Sequence, residues 1–438
     1  MSNVLIIYTN SITPRHQYIF DLLLNGIYKI KYELTDDKSF YLQSEGYKLN
    51  YSANRLDNNE FFVEENGLLN KKGVYELDIK VDKSRVIPVF FNSNHNESYY
   101  FDVFAASFYL ITRYEEYLPH LKDKYNRYKA EQSLAYRNNF LNIPIVNIWM
   151  KDFISDISIR FADLNIAYPD FKFISTIDID SAYLYKSKGF VRSIAFLLKT
   201  LYNLDIKSFK TAIKVIANKI KDPFDTYLKQ LEIQKKYNLD VKYFILLADY
   251  GLNDKSISYN NKNFQVLIKH LADFADLGIH PSFGSNYNKN KLFTEIKRLE
   301  EIQKREVTFS RQHFFQLSLR NTYIKLIEAG ITDDFTMGYS SHLGYRAGIA
   351  DSFLFYNLDA EQILPIRIHP FAIVDDILNY NMNLKPEDVM NHVCEIIDQT
   401  RNVNGKLISI WHSDTFSDFG NWKGWANVYE DIVKYIKK

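Results

Sequence analysis

The chain has 438 residues, 46% of them hydrophobic and 24% charged, which is too long for one small core and ordinary in composition for a folded globular protein. Its 54 basic and 53 acidic side chains nearly cancel, so the overall charge demands neither a nucleic-acid partner nor an anionic membrane. The single cysteine, Cys394, excludes an internal disulfide and a thiolate metal cluster, and no apolar stretch is long enough to predict a membrane span.

The first expected element is a strand at 4–8 (VLIIY). With no basic leader before it, the N-terminus reads as a strand, not a signal peptide, and the expected location is cytoplasmic. A helix over HQYIFDLLLNGI, a strand over YKIKYEL, Asn- and Asp-rich loops to residue 70 and short strands near 86–91 (VIPVFF) follow. This α/β opening contains no GxGxxG and no P-loop, so no nucleotide site is expected. Phe104, Phe108, Ile111 and Tyr114 recur at helical spacing across 101–120, with Pro119 as the stop. Arg113, Glu115 and Glu116 offer catalytic side chains, but read more readily as the charged outer face of that helix, and His120 as a surface residue. A further helix within 141–164 is expected to join a first domain, 1–165, to a second, 166–438.

The second domain starts with FKFISTIDIDSAY (171–183), an apolar strand that ends in Asp178 and Asp180. Two carboxylates this close repel each other unless a cation or a shared proton intervenes. The plainer alternative is that Asp180 or Ser181 caps the next helix. A Lys-, Leu- and Ile-rich region near 189–238, split by Pro223, is longer than a crossover helix and reads as a helical insertion with a solvated basic face. Then strands and helices alternate: VKYFILL (241–247), FQVLIKHLADFADLG, GIHPSFGSN (278–286), LFTEIKRLEEIQKR, VTFSRQHFF (307–315), NTYIKLIEAG and ITDDFTMGYSSHLGYRAG (331–348). A late amphipathic helix, DVMNHVCEIIDQ, takes Cys394 as a small core residue. The alternation predicts a parallel sheet, curled into a barrel or left open.

Polar side chains gather at the ends of these strands: Asp178 and Asp180, Asp249, His280, Arg311 and His313, Arg346, and His412. Strand C-termini are where parallel α/β proteins collect their sites. His280 paired with Asp180 suits a divalent ion. His313 reads either as a hydrogen-bonded core histidine or as a ligand, and Arg311, on the same face, can keep Asp178 ionised and oriented. His412, in LISIWHSDTF, has the place of a general acid, with Asp414 nearby to raise its pKa. Arg346 in GYRAG can bind an anion or a developing oxyanion, or pin its loop. His342, His369 and His392 stay outside the expected site.

STIDID at 175–180, GIHPS at 278–282, the strand carrying Arg311, and Trp411-His412 together resemble the polysaccharide deacetylase family. RYEEY at 113–117 is similar to Bacteroidetes-type members with an extra α/β domain ahead of the barrel. The resemblance covers roughly 170–420. It implies a distorted (β/α) barrel of fewer than eight units, preceded by a smaller α/β domain. The implied activity is metal-dependent hydrolysis of N- or O-acetyl groups on a glycan or sugar intermediate, with one divalent metal, usually zinc. By the family's order, Asp178 is the base, Asp180 a metal ligand, Arg311 the residue that orients Asp178, and His412 the general acid. The family's second motif normally carries two histidines four apart. Here His280 is the first and Gly284 stands in place of the second, which makes His313 the candidate third ligand. SRQH departs likewise from the usual Arg-Pro of the third motif. Tyr183, Trp411 and Trp422 are expected to stack on sugar, and Arg346 to contact substrate. The departures leave three alternatives: a glycan-binding barrel without catalysis, a metal-dependent hydrolase of another amide C–N bond, and a structural or assembly role for the first domain.

Overall fold

The computed structural model describes residues 3–438. Four parallel strands form the first sheet: β1 (Leu5–Tyr8), β2 (Tyr32–Thr35), β3 (Tyr47–Ser52) and β4 (Phe61–Glu64), in the order β2-β1-β3-β4. Strands β3 and β4 lie where loops are expected. Their Asn and Asp residues crowd the connection between them and mask two short apolar runs. At 86–91 the opposite holds. Only isolated bridges occur there, Asp82 with Val89 and Asn92 with Phe101, because Pro88 has no N–H and Phe91 is left-handed (φ 62°).

The expected helix over 101–120 is shorter, Val103–Ile111, capped by the Asp102 carboxylate, which accepts from Ala105 N at 2.9 Å. Arg113 then turns left-handed (φ 55°), and Tyr114–Tyr117 continues as a 3-10 turn. This kink overturns the expected outward charged face, since Arg113, Glu115 and Glu116 are all buried. Arg113 donates from Nε to Glu116 Oε1 (2.8 Å) and from Nη2 to Glu115 Oε1 (2.7 Å). The long helix Ile145–Arg160 follows as expected.

The second sheet has nine strands: β5 (Lys172–Ile179), β6 (Asp240–Ile245), β7 (Asp276–Ile279), β8 (Phe309–Ser310), β9 (Asp333–Asp334), β10 (Phe353–Asn357), β11 (Gln362–Ile368), β12 (Ile373–Val374) and β13 (Lys406–His412). Their order is β10-β11-β9-β8-β7-β6-β5-β13-β12, parallel throughout except for the β10–β11 pair. The order is open, with β10 and β12 at its ends, but the link from β11 to β12 bonds to both flanks. His369 N donates to Asp334 O (2.8 Å), Phe371 N to Met337 O (3.1 Å), and Ala372 N to Ile408 O (3.0 Å). The sheet is therefore curled back on itself, with the β9 and β13 sides bridged by one segment.

One core cluster includes residues of both sheets and of helix 145–160, among them Leu5, Phe104, Trp149, Phe244 and Trp411. Gly278 of β7 is needed for that packing. A Cβ there would lie 2.7 Å from the Phe244 ring and 2.9 Å from Phe309 O, so neither neighbour could stay in place. The insertion forms helices Phe190–Tyr202, Ile206–Ile216 and Tyr227–Tyr237. Among the described residues, no helix is long and apolar enough to cross a membrane.

Candidate metal centre and active site

Register brings the polar strand ends together. Asp178 lies level with His412 on β13 and with Phe244 on β6, and Ile279 of β7 is level with Ser310 of β8. The residues just past these levels, Asp180, His280, Arg311 and His313, thus emerge on one face of the sheet. Asp178, Asp180, His280, His313 and His412 line a single cavity of about 240 Å³, together with Arg127, Phe314, Asp376 and Tyr380.

Asp180, His280 and His313 offer ligand atoms that all lie within 4.8 Å of one another. Asp180 Oδ1 is 3.3 Å from His280 Nε2, and Oδ2 is 3.5 Å from His313 Nε2. Both histidines are oriented from behind. His280 Nδ1 lies 2.6 Å from the Arg311 carbonyl, which can only accept, so Nδ1 donates there and Nε2 is the nitrogen turned into the cavity. His313 Nδ1 lies 2.9 Å from Asp254 Oδ1, a carboxylate–histidine arrangement typical of metal sites. Burial opposes charge on both His313 and Asp180, yet Asp180 and Asp254 push the imidazole up to about 9. In turn His313 and His280 hold the Asp180 carboxyl well below its ordinary range. The buried Asp180 Oδ1 and Asp178 Oδ2 have no hydrogen-bond partner among the described residues. Two converging Nε2 atoms, one carboxylate and orphaned buried oxygens fit a divalent cation, which would take the place of the proton that His313 otherwise carries on Nε2. Gly284, at the place of the second motif histidine, begins a 3-10 turn, and His313 on the next strand end presents its nitrogen to Asp180 instead.

Asp178 is fully buried beside this group. Arg311, also fully buried, donates from Nη1 to Asp178 Oδ1 (2.8 Å) and to Thr176 Oγ1 (2.7 Å), and from Nε to Phe335 O (3.1 Å). Its guanidinium carbon lies 4.5 Å from the Phe244 ring centroid. The arginine is thereby immobilised and fixes one carboxylate oxygen, leaving Oδ2 aimed at the cavity.

Across the cavity, His412 Nδ1 lies 2.8 Å from Asp375 Oδ1, and its backbone N donates to Asp375 Oδ2 (2.6 Å), which also accepts from Thr415 Oγ1. The partner that fixes His412 is therefore Asp375, at the end of β12. Asp414, the expected partner, accepts instead from Trp422 Nε1 at 3.1 Å. Asp375, Asp376 and His412 also offer converging ligand atoms, but Asp375 is saturated by donors, as befits an orienting acid.

Four expected substrate contacts lie elsewhere. Arg346 is buried, donating from Nε and Nη2 to the two Glu116 oxygens (2.8 and 2.5 Å) and from Nη1 to Gly338 O (3.1 Å), so its guanidinium cannot receive an anion. Trp411 is wholly buried, with Nε1 donating to Ser409 Oγ (3.1 Å) and its ring against Tyr429. Tyr183 packs edge-on to Tyr227, outside the cavity. Trp422 is buried behind Tyr380, at 5.3 Å, and it is Tyr380 that reaches the cavity. Asp249 turns outward to Arg298 Nη2 (2.8 Å). Sequence reasoning missed Asp254, Asp375 and Arg127. Asp375 carries the strand-end signal, but on a strand of only two residues.

Residues 5–162 match the model of a family of unknown function (DUF7033). No curated protein matches the chain. Among solved structures, the chain is similar to a "putative polysaccharide deacetylase" from Mycobacterium smegmatis, at 11% identity and a TM-score of 0.39, over 62% of this chain and 86% of that one. Puue allantoinase matches at 9% identity and a TM-score of 0.38, over 60% and 84%. A mutant CE4 family pseudoenzyme with restored enzymatic activity matches at 10% identity and a TM-score of 0.26, over 60% and 65%. At this level of likeness the chemistry has to be read from the side chains themselves.

Proposed function

We propose that the chain is a metal-dependent deacetylase acting on an acetylated glycan or sugar. Its curled (β/α) sheet serves as a distorted barrel over 166–438, with residues 1–165 as an accessory α/β domain. The observation that supports this reading is the meeting of three groups in one cavity: Asp180 with His280 and His313, Asp178 with Arg311, and His412 with Asp375.

Asp180, His280 and His313 would hold one divalent ion, for which imidazole and carboxylate donors favour zinc. When bound, such an ion polarises an acyl carbonyl and acidifies water. Asp178, held by Arg311 through Oδ1, takes the proton of the attacking water on its free Oδ2. As the new C–O bond forms and the C–N or C–O bond to the sugar breaks, His412 gives its proton to the departing amine or alcohol. Asp375 keeps the His412 ring in the donating orientation, and Tyr380 and Phe314 supply apolar surface for a sugar face.

The test joins metal analysis to acetate release from acetylated oligosaccharides. The purified chain is expected to hold one equivalent of metal and to release acetate. Asp180→Ala and His280→Ala should lose the metal with unchanged circular dichroism. His412→Ala should keep it and lose roughly 10²–10⁴-fold in turnover. Full metal occupancy in both ligand variants would overturn the assignment.

A further inference from the structure

Between β5 and β6 the chain leaves the sheet and builds a helical hairpin from Phe190–Tyr202 and Ile206–Ile216. The two helices use one apolar face on each other. Phe196 and Leu197 pack on Tyr185, Ala212 and Val215, a small cluster separate from the main core. A second apolar face is left uncovered. Phe190, Ile194, Leu198 and Leu201 recur at helical spacing, and all are exposed, Leu198 by 62%. Ile206, Ile213, Ile216 and Ile220 repeat the stripe on the second helix and its exit, and are exposed too. At the tip between the helices, Tyr202 is 89% and Leu204 82% exposed.

Charge around this ridge is mostly of one sign. Residues 186–222 hold nine Lys and Arg against two Asp, in a chain whose net charge is only +1. Both acids are turned to backbone. Asp205 caps the second helix through Ser208 N (3.0 Å), and Asp222 accepts from the N–H groups of Leu184, Tyr185 and Lys186 at 2.8–2.9 Å. Lys207, Lys210 and Lys214 are exposed and follow the Ile206 stripe one position on, so cations run along the ridge's edge. The base of the hairpin is tied to the loop after β6. Arg192 donates to Ser256 O (3.0 Å) and Lys255 O (3.2 Å), and its guanidinium lies 4.0 Å from the Tyr250 ring centroid. That loop also supplies Asp254 to His313, so the hairpin stands at the rim of the face that carries the cavity.

We propose that this hairpin docks the protein on an anionic lipid bilayer, with the apolar ridge entering the headgroup–acyl boundary and the flanking lysines meeting anionic headgroups. The helices are too short to span and have the large moment and basic flanks of surface-lying helices. The same charge disfavours the competing occupant, a second copy, because pairing two such ridges would bring like charges together. Docking here does not depend on the chemistry of the cavity.

Co-sedimentation of the full chain with vesicles tests the proposal. At low salt the protein is expected to pellet with phosphatidylcholine–phosphatidylglycerol vesicles, to stay in solution with pure phosphatidylcholine, and to be released by salt. Leu198→Glu/Ile213→Glu and Lys207→Glu/Lys210→Glu/Lys214→Glu should each weaken partitioning by roughly tenfold or more, with unchanged circular dichroism and metal content. Light scattering without lipid should show that the ridge variant and the parent have the same mass. Failure of the parent to pellet with the anionic vesicles, binding that both variants retain, or a parent dimer that Leu198→Glu/Ile213→Glu dissociates would each overturn the proposal.

Discussion

Burial alone would drive the His412 imidazole towards its neutral form, but Asp376 and Asp375 face it and hold it protonated well above the ordinary histidine range. In the proposed reaction a general acid must carry its proton to be useful, so the pair would extend activity towards alkaline pH. Asp375→Asn keeps the size of the side chain and removes one carboxylate charge, which lowers the His412 pKa. The alkaline limb of the pH–rate profile is then expected to move to lower pH while metal content stays unchanged. Turnover should also lose part of the ~10²–10⁴-fold that a positioned acid supplies. An unmoved limb would show that His412 is not the titrating acid. At this scale much was legible beforehand, because a strand that ends in Asp, His or Arg advertises itself, as Asp178, Asp180, His280, Arg311, His313 and His412 do. Asp254 does not, since it sits in a loop and only folding brings it to His313. Nor does sequence say that Arg346 spends its charge on Glu116, or that Trp411 faces the core instead of a sugar.

At the scale of elements, the kink at Arg113 shows what periodicity cannot see. The apolar repeat runs on through Tyr114, yet one left-handed residue rotates the following turn and converts an expected solvated face into a buried network of Arg113, Glu115, Glu116 and Arg346. Long buried strands such as β5, β6 and β13 announce themselves by apolar runs, whereas β3 and β4 are short and hidden among turn residues. Burial works against ionising Glu116, but Arg346 and Arg113 hold its carboxyl at about 2, below the value near 4.5 that it has when unfolded. A depressed carboxylate pKa contributes stability that is complete above pH 4.5 and is lost as the pH falls towards 2. Glu116→Gln should therefore cost about 3–5 kcal/mol at neutral pH, as the two arginines lose their buried counter-charge. The variant should also flatten the decline in stability between pH 4.5 and 2 relative to the parent. Urea titrations of both proteins across that range measure the difference directly. Curves that stay parallel would mean that Glu116 titrates alike in both states.

Over the whole molecule, the two sheets share more than a linker. Tyr18 OH donates to Leu354 O (2.8 Å), Val146 N to Gly348 O (2.9 Å), Tyr345 N to Leu141 O (2.8 Å), and Arg15 pairs with Glu361. Arg127 reaches the cavity and donates to Phe314 O (2.7 Å), the carbonyl of a left-handed residue (φ 60°) that directly follows His313. Left-handed backbone at phenylalanine costs free energy and persists only where surrounding contacts impose it, so the first 165 residues help to set the third ligand of the candidate metal centre. Sequence divides the chain at about residue 165, where the helix 145–160 suggests a join, but a join in sequence is not a seam in packing. Removing residues 1–165 would uncover Tyr356 of β10, which Tyr18 and Phe108 pack against with ring centroids 4.9 and 5.4 Å away. It would also strip Glu116 from the buried Arg346. The fragment 166–438 is therefore expected to lack a cooperative thermal transition and to bind zinc no better than the Asp180→Ala variant of the full chain, with both properties restored when residues 1–165 are co-expressed with it. A fragment that melts cooperatively and holds one equivalent of metal by itself would show that the second sheet folds and builds its site alone.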